Sequence, residues 1–197
     1  MALVLGAVVS VDSREELSAR AAALREVHEA RARAELAEAD RACPGCDAVP
    51  GAGDVLAEVL LLKGLPGPAE AAGGDALSGV DGEAASKALE ALGWDASQAF
   101  RALTCPQPGL DRTRCARRVR IMVEAVDPRV VVALDGQAAE DLARAFEVAP
   151  LRPGAEVVAA GRRLVAVSGL EESLDDPARK KVVWREFKAA APGGPSY

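Results

Sequence analysis

The stretch VLAEVLLLKGLPGPAEAAGGDALSG, residues 55–79, sets a saturated apolar run directly before a loop dense in glycine and proline. Such a run, over 55–62, reads as a central strand, because a strand covered on both faces needs apolar side chains at successive positions. In open α/β proteins the loop leaving the carboxyl end of a buried strand is where ligands bind, and glycines there let a backbone come close. This loop has the glycines and few side chains able to do chemistry.

The same order recurs downstream. FRALT at 100–104, RVVVAL at 129–134, EVVAA at 156–160 and RLVAVS at 163–168 read as further strands, the last two joined by a tight turn. Between them lie helical patterns, DGEAASKALEALGW, DRTRCARRVRIMVEAV and QAAEDLARAF, and a closing helix follows that opens at Asp176 and Pro177. Alternation of this kind predicts an α/β fold: three layers, α/β/α, around a mostly parallel sheet built from 55–62, 100–104, 129–134 and 164–168.

Upstream, Ser13 and Glu16 form a capping box, and 14–40 reads as a long amphipathic helix with Leu17, Ala21, Leu24 and Val27 at helical spacing. The lone His28 stands among charged residues and reads as solvated. The opening MALVLGAVVS has no basic flank or cleavage pattern and falls far short of the ~20 residues that span a bilayer, which predicts a strand or docked arm, no membrane partner and a cytoplasmic protein. Three parts follow: an apolar segment and long helix at 1–42, an α/β domain at 43–190 and a flexible tail at 191–197.

A net charge of −6 excludes a global positive field for nucleic acid or anionic membrane. One local exception is the cluster Arg112, Arg114, Arg117, Arg118 and Arg120, which suits phosphates or an acidic protein partner. Cys43 and Cys46 form a C-x-x-C pair, and Cys105 and Cys115 flank a Pro-containing loop. Four thiols in two pairs, in a reducing compartment, point to a [4Fe-4S] cluster or a tetrahedral zinc, against the alternative of thiols that bind nothing.

Taken in order, helix, C-x-x-C, apolar strand, LPGPAEAAGGDALSG, the helix EAASKALEALG, a strand, Cys, loop, Cys, helix, DPRVVVAL and LVAVSG resemble the iron-sulfur class of the uracil-DNA glycosylase superfamily, over about 43–190. Pro66, Gly67, Gly74, Gly79, Gly82 and Gly93 fall on that family's framework. Asp135 stands where its strand motif ends in glycine, and the loop between Cys105 and Cys115 is several residues shorter than usual.

The resemblance implies a base pocket framed by Gly64, Pro66, Gly67, Leu77 and Ser168, and a cluster held by Cys43, Cys46, Cys105 and Cys115. It also shows what has been replaced. The family's activating Glu falls on Gly64, its base-stacking Phe on Leu77, its base-reading Asn on Arg101, and its H-P-S motif on Val167, Ser168 and Gly169. Excising a base needs charge stabilisation on the leaving group and a group that positions water. The expectation is a catalytically degenerate glycosylase-like protein that acts as a binding or scaffolding module in DNA repair or nucleic-acid handling, with another protein as partner and local DNA contact through 112–120. The competing expectation is an atypical glycosylase or other base- or nucleoside-directed enzyme. It would use Lys63 as an amine nucleophile, or a displaced acid among Glu70, Asp75, Asp81 and Glu83, together with Arg101.

Overall fold

The computed structural model describes residues 11–45 and 48–192. Its elements are α1 (Val11–Arg41), β1 (Ala52–Gly53), β2 (Val59–Lys63), α2 (Pro68–Ala71), α3 (Val80–Ala91), β3 (Phe100–Leu103), α4 (Arg112–Val126), β4 (Val130–Ala133), α5 (Gly136–Ala145), β5 (Glu156–Ala159), β6 (Arg162–Ala166) and α6 (Pro177–Phe187), with short 3-10 turns between some of them. The MALVLGAVVS segment and the last five residues lie outside the described residues.

The strands form one six-stranded sheet in the order β1-β3-β2-β4-β6-β5. The four inner strands are parallel, as the apolar runs predict, and the two edge strands run antiparallel. Period-two alternation divides the core. Leu60, Leu62, Val131, Ala133, Leu164 and Ala166 face Val119, Met122 and Leu142 of α4 and α5, with Ala32 of α1 in the same cluster. Val59, Leu61, Val130, Val132, Val165 and Val167 face Leu89 of α3 and Val183 and Phe187 of α6. The molecule is therefore a mixed α/β sandwich with helices on both faces of an open, mostly parallel sheet.

Two boundaries and one helix face differ from the sequence reading. The central strand starts at Val59 and not at 55, because Asp54 accepts the Leu56 N–H at 2.9 Å and its carbonyl accepts the Ala57 N–H, which folds 54–57 into a turn. Helix α1 already runs from Val11, so Ser13 lies inside it and is not its cap. The supposed apolar face of α1 is not covered: Leu17, Leu24 and Val27 are 63%, 59% and 65% exposed, and the helix packs instead through Ala32, Ala39 and the partly buried Leu36. Elsewhere the local signals hold. Asp176 caps α6 by accepting from Ala178 and Arg179, with Pro177 behind it, and Ala160 and Gly161, both at positive φ, turn the β5–β6 hairpin.

Candidate functional site

Lys63 ends β2 at the carboxyl edge of the sheet, where a ligand would be sought. Its side chain is buried and its ammonium lies 2.5 Å from Asp81, 2.8 Å from Glu171 and 3.8 Å from Glu70. Burial alone would lower the Lys63 pKa, but the hydrogen bonds it donates to Asp81 and Glu171 and the charges of Asp81 and Glu70 outweigh it, so the pKa rises above its ordinary value. A lysine held in its protonated form has no lone pair to attack a sugar carbon. The geometry makes Lys63 the hub of an ion cluster.

The glycine-rich loop is built to close over that hub. Glu70, itself buried, accepts the N–H groups of Gly67 at 3.0 Å and Leu77 at 2.9 Å, which pins both ends of the loop to one carboxylate. Leu77 is buried with φ +56, and a Cβ added at Gly82 would run into the Leu77 carbonyl, so glycine is required at 82. At Gly67 a Cβ would come within 2.5 Å of the Lys63 amine. The space left beside Lys63, Asp81, Leu134, Asp135, Leu170, Glu171 and Glu172 is about 20 Å³. That is roughly the room for one water and far less than a base needs.

The other framework residues serve the backbone. Gly64 donates its N–H to Asp135 at 2.7 Å, Asp135 also caps α5 through Ala138, and half-buried Pro66 lies in the loop between. Ser168 is exposed and bound to Glu186 of α6 through both its N–H and its hydroxyl at 2.8 Å. Of the acids read as displaced catalysts, Glu70 and Asp81 belong to the ion cluster, whereas Asp75 and Glu83 are exposed. Arg101, half-buried on β3, donates to Ser86 at 3.1 Å and to the Ala96 carbonyl at 3.2 Å, and its Nε is buried without a hydrogen bond. It lines a shallow cleft with Leu77, Ser86 and Glu90, and these bonds do not join it to Lys63.

On the other side of the sheet edge Cys43, Cys105 and Cys115 gather in one buried nest with Leu110. The Cys43 and Cys115 sulfurs are 4.0 Å apart, and Cys105 donates to the Gln107 carbonyl at 3.1 Å. Burial, together with the hydrogen bond and charge of Cys105, pushes the Cys115 thiol up to about 12. Cys46 lies outside the described residues, and among the described residues no group of three His, Cys, Asp or Glu side chains is placed to hold a metal ion.

Beside the thiols stands a constellation that sequence reasoning missed. Asp141, fully buried on α5, accepts from Thr104 at 2.6 Å and pairs with Arg112, while its second oxygen has no hydrogen bond and faces Arg144 at 3.9 Å. Burial raises its pKa against the pull of Thr104, Arg112 and Arg144. The signal was present, since position 141 shares a helical face with Ala138 and Leu142.

The basic cluster does not form one patch. Arg118 is buried and binds Asp40 at 2.8 Å and the Leu103 carbonyl at 2.7 Å, which ties α4 to α1. Arg112 is taken by Asp141, and Arg120 binds Glu124 and stacks over Phe146. Arg114 and Arg117 are left exposed. No helix among the described residues is long and apolar enough to cross a membrane. No protein-family model and no curated protein matches the chain.

Proposed function

We propose that the protein is a catalytically degenerate relative of the uracil-DNA glycosylases that works as a binding or scaffolding module in DNA repair or nucleic-acid handling. The observation that carries this reading is the ion cluster at Lys63. Beside the glycine-rich loop on which the resemblance puts a base pocket, an ammonium is held by three carboxylates, and the space next to it is about 20 Å³. Losing one group that stabilises a developing charge typically costs about 10²–10³ in rate, and the positions of the family's Glu, Asn and His are held here by Gly64, Arg101 and Val167.

The test is single-turnover incubation with single- and double-stranded oligonucleotides carrying uracil, hypoxanthine or alkylated bases, with and without borohydride. The expected result is neither excision nor trapped adduct. Base release, or an adduct abolished by Lys63→Ala, overturns the reading in favour of an atypical glycosylase.

The cysteine nest is proposed as a structural [4Fe-4S] site that fastens the end of α1 to α4, with Cys46 as fourth ligand. Zinc held by the same cysteines is the alternative.

A further inference from the structure

A groove on the α3/α6 face has no role in anything above. Its walls are Ala84, Lys87, Ala88 and Ala91 of α3 and Lys180, Val183, Trp184 and Phe187 of α6, its floor is Leu170, and it encloses about 360 Å³. Trp184 is 36% exposed and the adjoining Val182 42%, large apolar side chains that a closed helix pair would have covered. The charged residues lining the groove are both lysines. Helix α6 adds Arg179, Lys181 and Arg185, and Lys188, just past its end, lies 5.7 Å from the centre of the Trp184 ring. Its one acid, Glu186, is already bound to Ser168. A basic helix of this kind on a chain of net charge −6 is not explained by the packing of the core.

We propose that this groove seats an amphipathic helix of a partner protein, with bulky apolar side chains one turn apart and Asp or Glu on its flanks to meet Lys87 and Lys180. Form favours a helix. Alanines at 84, 88 and 91 repeat at helical spacing along one wall and let a third backbone come close, and Trp184 supplies the kind of aromatic anchor on which such interfaces depend. Concavity favours a helix over a flat bilayer, and an apolar lining gives a phosphate backbone nothing to bind. Within one molecule the exposed ridge of α1 lies away from the groove, because α1 packs on the opposite face of the sheet.

The inference rests on the binding-module reading for its supposition of a protein partner, and the excision assay tests that reading separately. The experiment here is titration of the full chain, followed by tryptophan emission, with a 16-residue amidated helix of Ala and Gln carrying a Leu-Phe-Leu stripe flanked by Glu. The second tryptophan, Trp94, holds the Ala190 carbonyl at 2.8 Å and serves as a background. The Glu-flanked peptide should shift the emission to the blue and saturate, and a Lys-flanked twin should bind about fivefold or more weakly. Trp184→Ala should abolish the signal, and the surface pair Lys87→Glu, Lys180→Glu should reverse the preference between the two peptides. Equal binding of both peptides, or indifference to the charge reversal, overturns the proposal. So does a response to phosphatidylglycerol vesicles or duplex DNA without one to the Glu-flanked peptide, since the surface would then belong to a membrane or a nucleic acid.

Discussion

Removing the Lys63 ammonium would leave Asp81 and Glu70 buried against each other with no cation between them. Lys63→Met is therefore expected to cost about 3–5 kcal/mol at neutral pH, the range for breaking one side of a buried ion pair. Denaturant melts of the variant and the wild type will show the deficit. A lysine pKa raised in the folded state contributes stability that is complete below its ordinary 10.5 and is lost as pH climbs through the higher folded value. At Gly82 a methyl group meets backbone, so Gly82→Ala should destabilise by about 1–3 kcal/mol, the usual cost of overpacking. Gly136→Ala, at the start of α5 with open space around it, should be neutral or stabilising by up to about 1 kcal/mol. Thermal melts of the two variants separate the cases.

Helix α1 changes character along its length. From 14 to 28 every side chain is exposed, and the helix there is supported chiefly by Arg25, which pairs locally with Glu29 and across the fold with Asp54. From Ala32 to Asp40 it is packed on the core and bolted by Arg118. An isolated helix of about 15 residues is marginal in water, so amides 14–28 should exchange with deuterium orders of magnitude faster than amides 32–41. Asp40→Ala, which leaves Arg118 buried on the Leu103 carbonyl alone, should cost about 1.5–3 kcal/mol and speed exchange in the packed half. The sequence pointed to the wrong half for a physical reason. Leu17, Leu24 and Val27 make a visible period, whereas the contact is made by alanines, whose small side chains allow close approach and leave little trace in a hydrophobic pattern. The strands were legible because four apolar runs buried on both faces leave few arrangements other than a parallel sheet. The two-residue β1 carries no such run.

At the scale of the molecule the carboxyl edge of the sheet holds two centres, thiols on one side and an ion cluster on the other. The gathering of Cys43, Cys105 and Cys115 was legible from the order of elements, since the thiols sit at breaks that the topology brings together. The trapping of Lys63 was not, because Asp81 and Glu171 reach it from separate elements far apart in the chain. Elemental analysis of anaerobically purified protein should find iron with sulfide, or one zinc, per chain, and Cys115→Ser should abolish it; a metal-free, fully folded protein would remove the staple from this account. Lys63 is a fixed, charged lysine at the carboxyl end of β2, and the most direct test of that is ¹⁵N NMR of its side chain across a pH titration. The expected result is a slowly exchanging ammonium that stays protonated beyond pH 10.5. An amine that loses its proton near neutral pH would contradict the claim and restore Lys63 as a nucleophile.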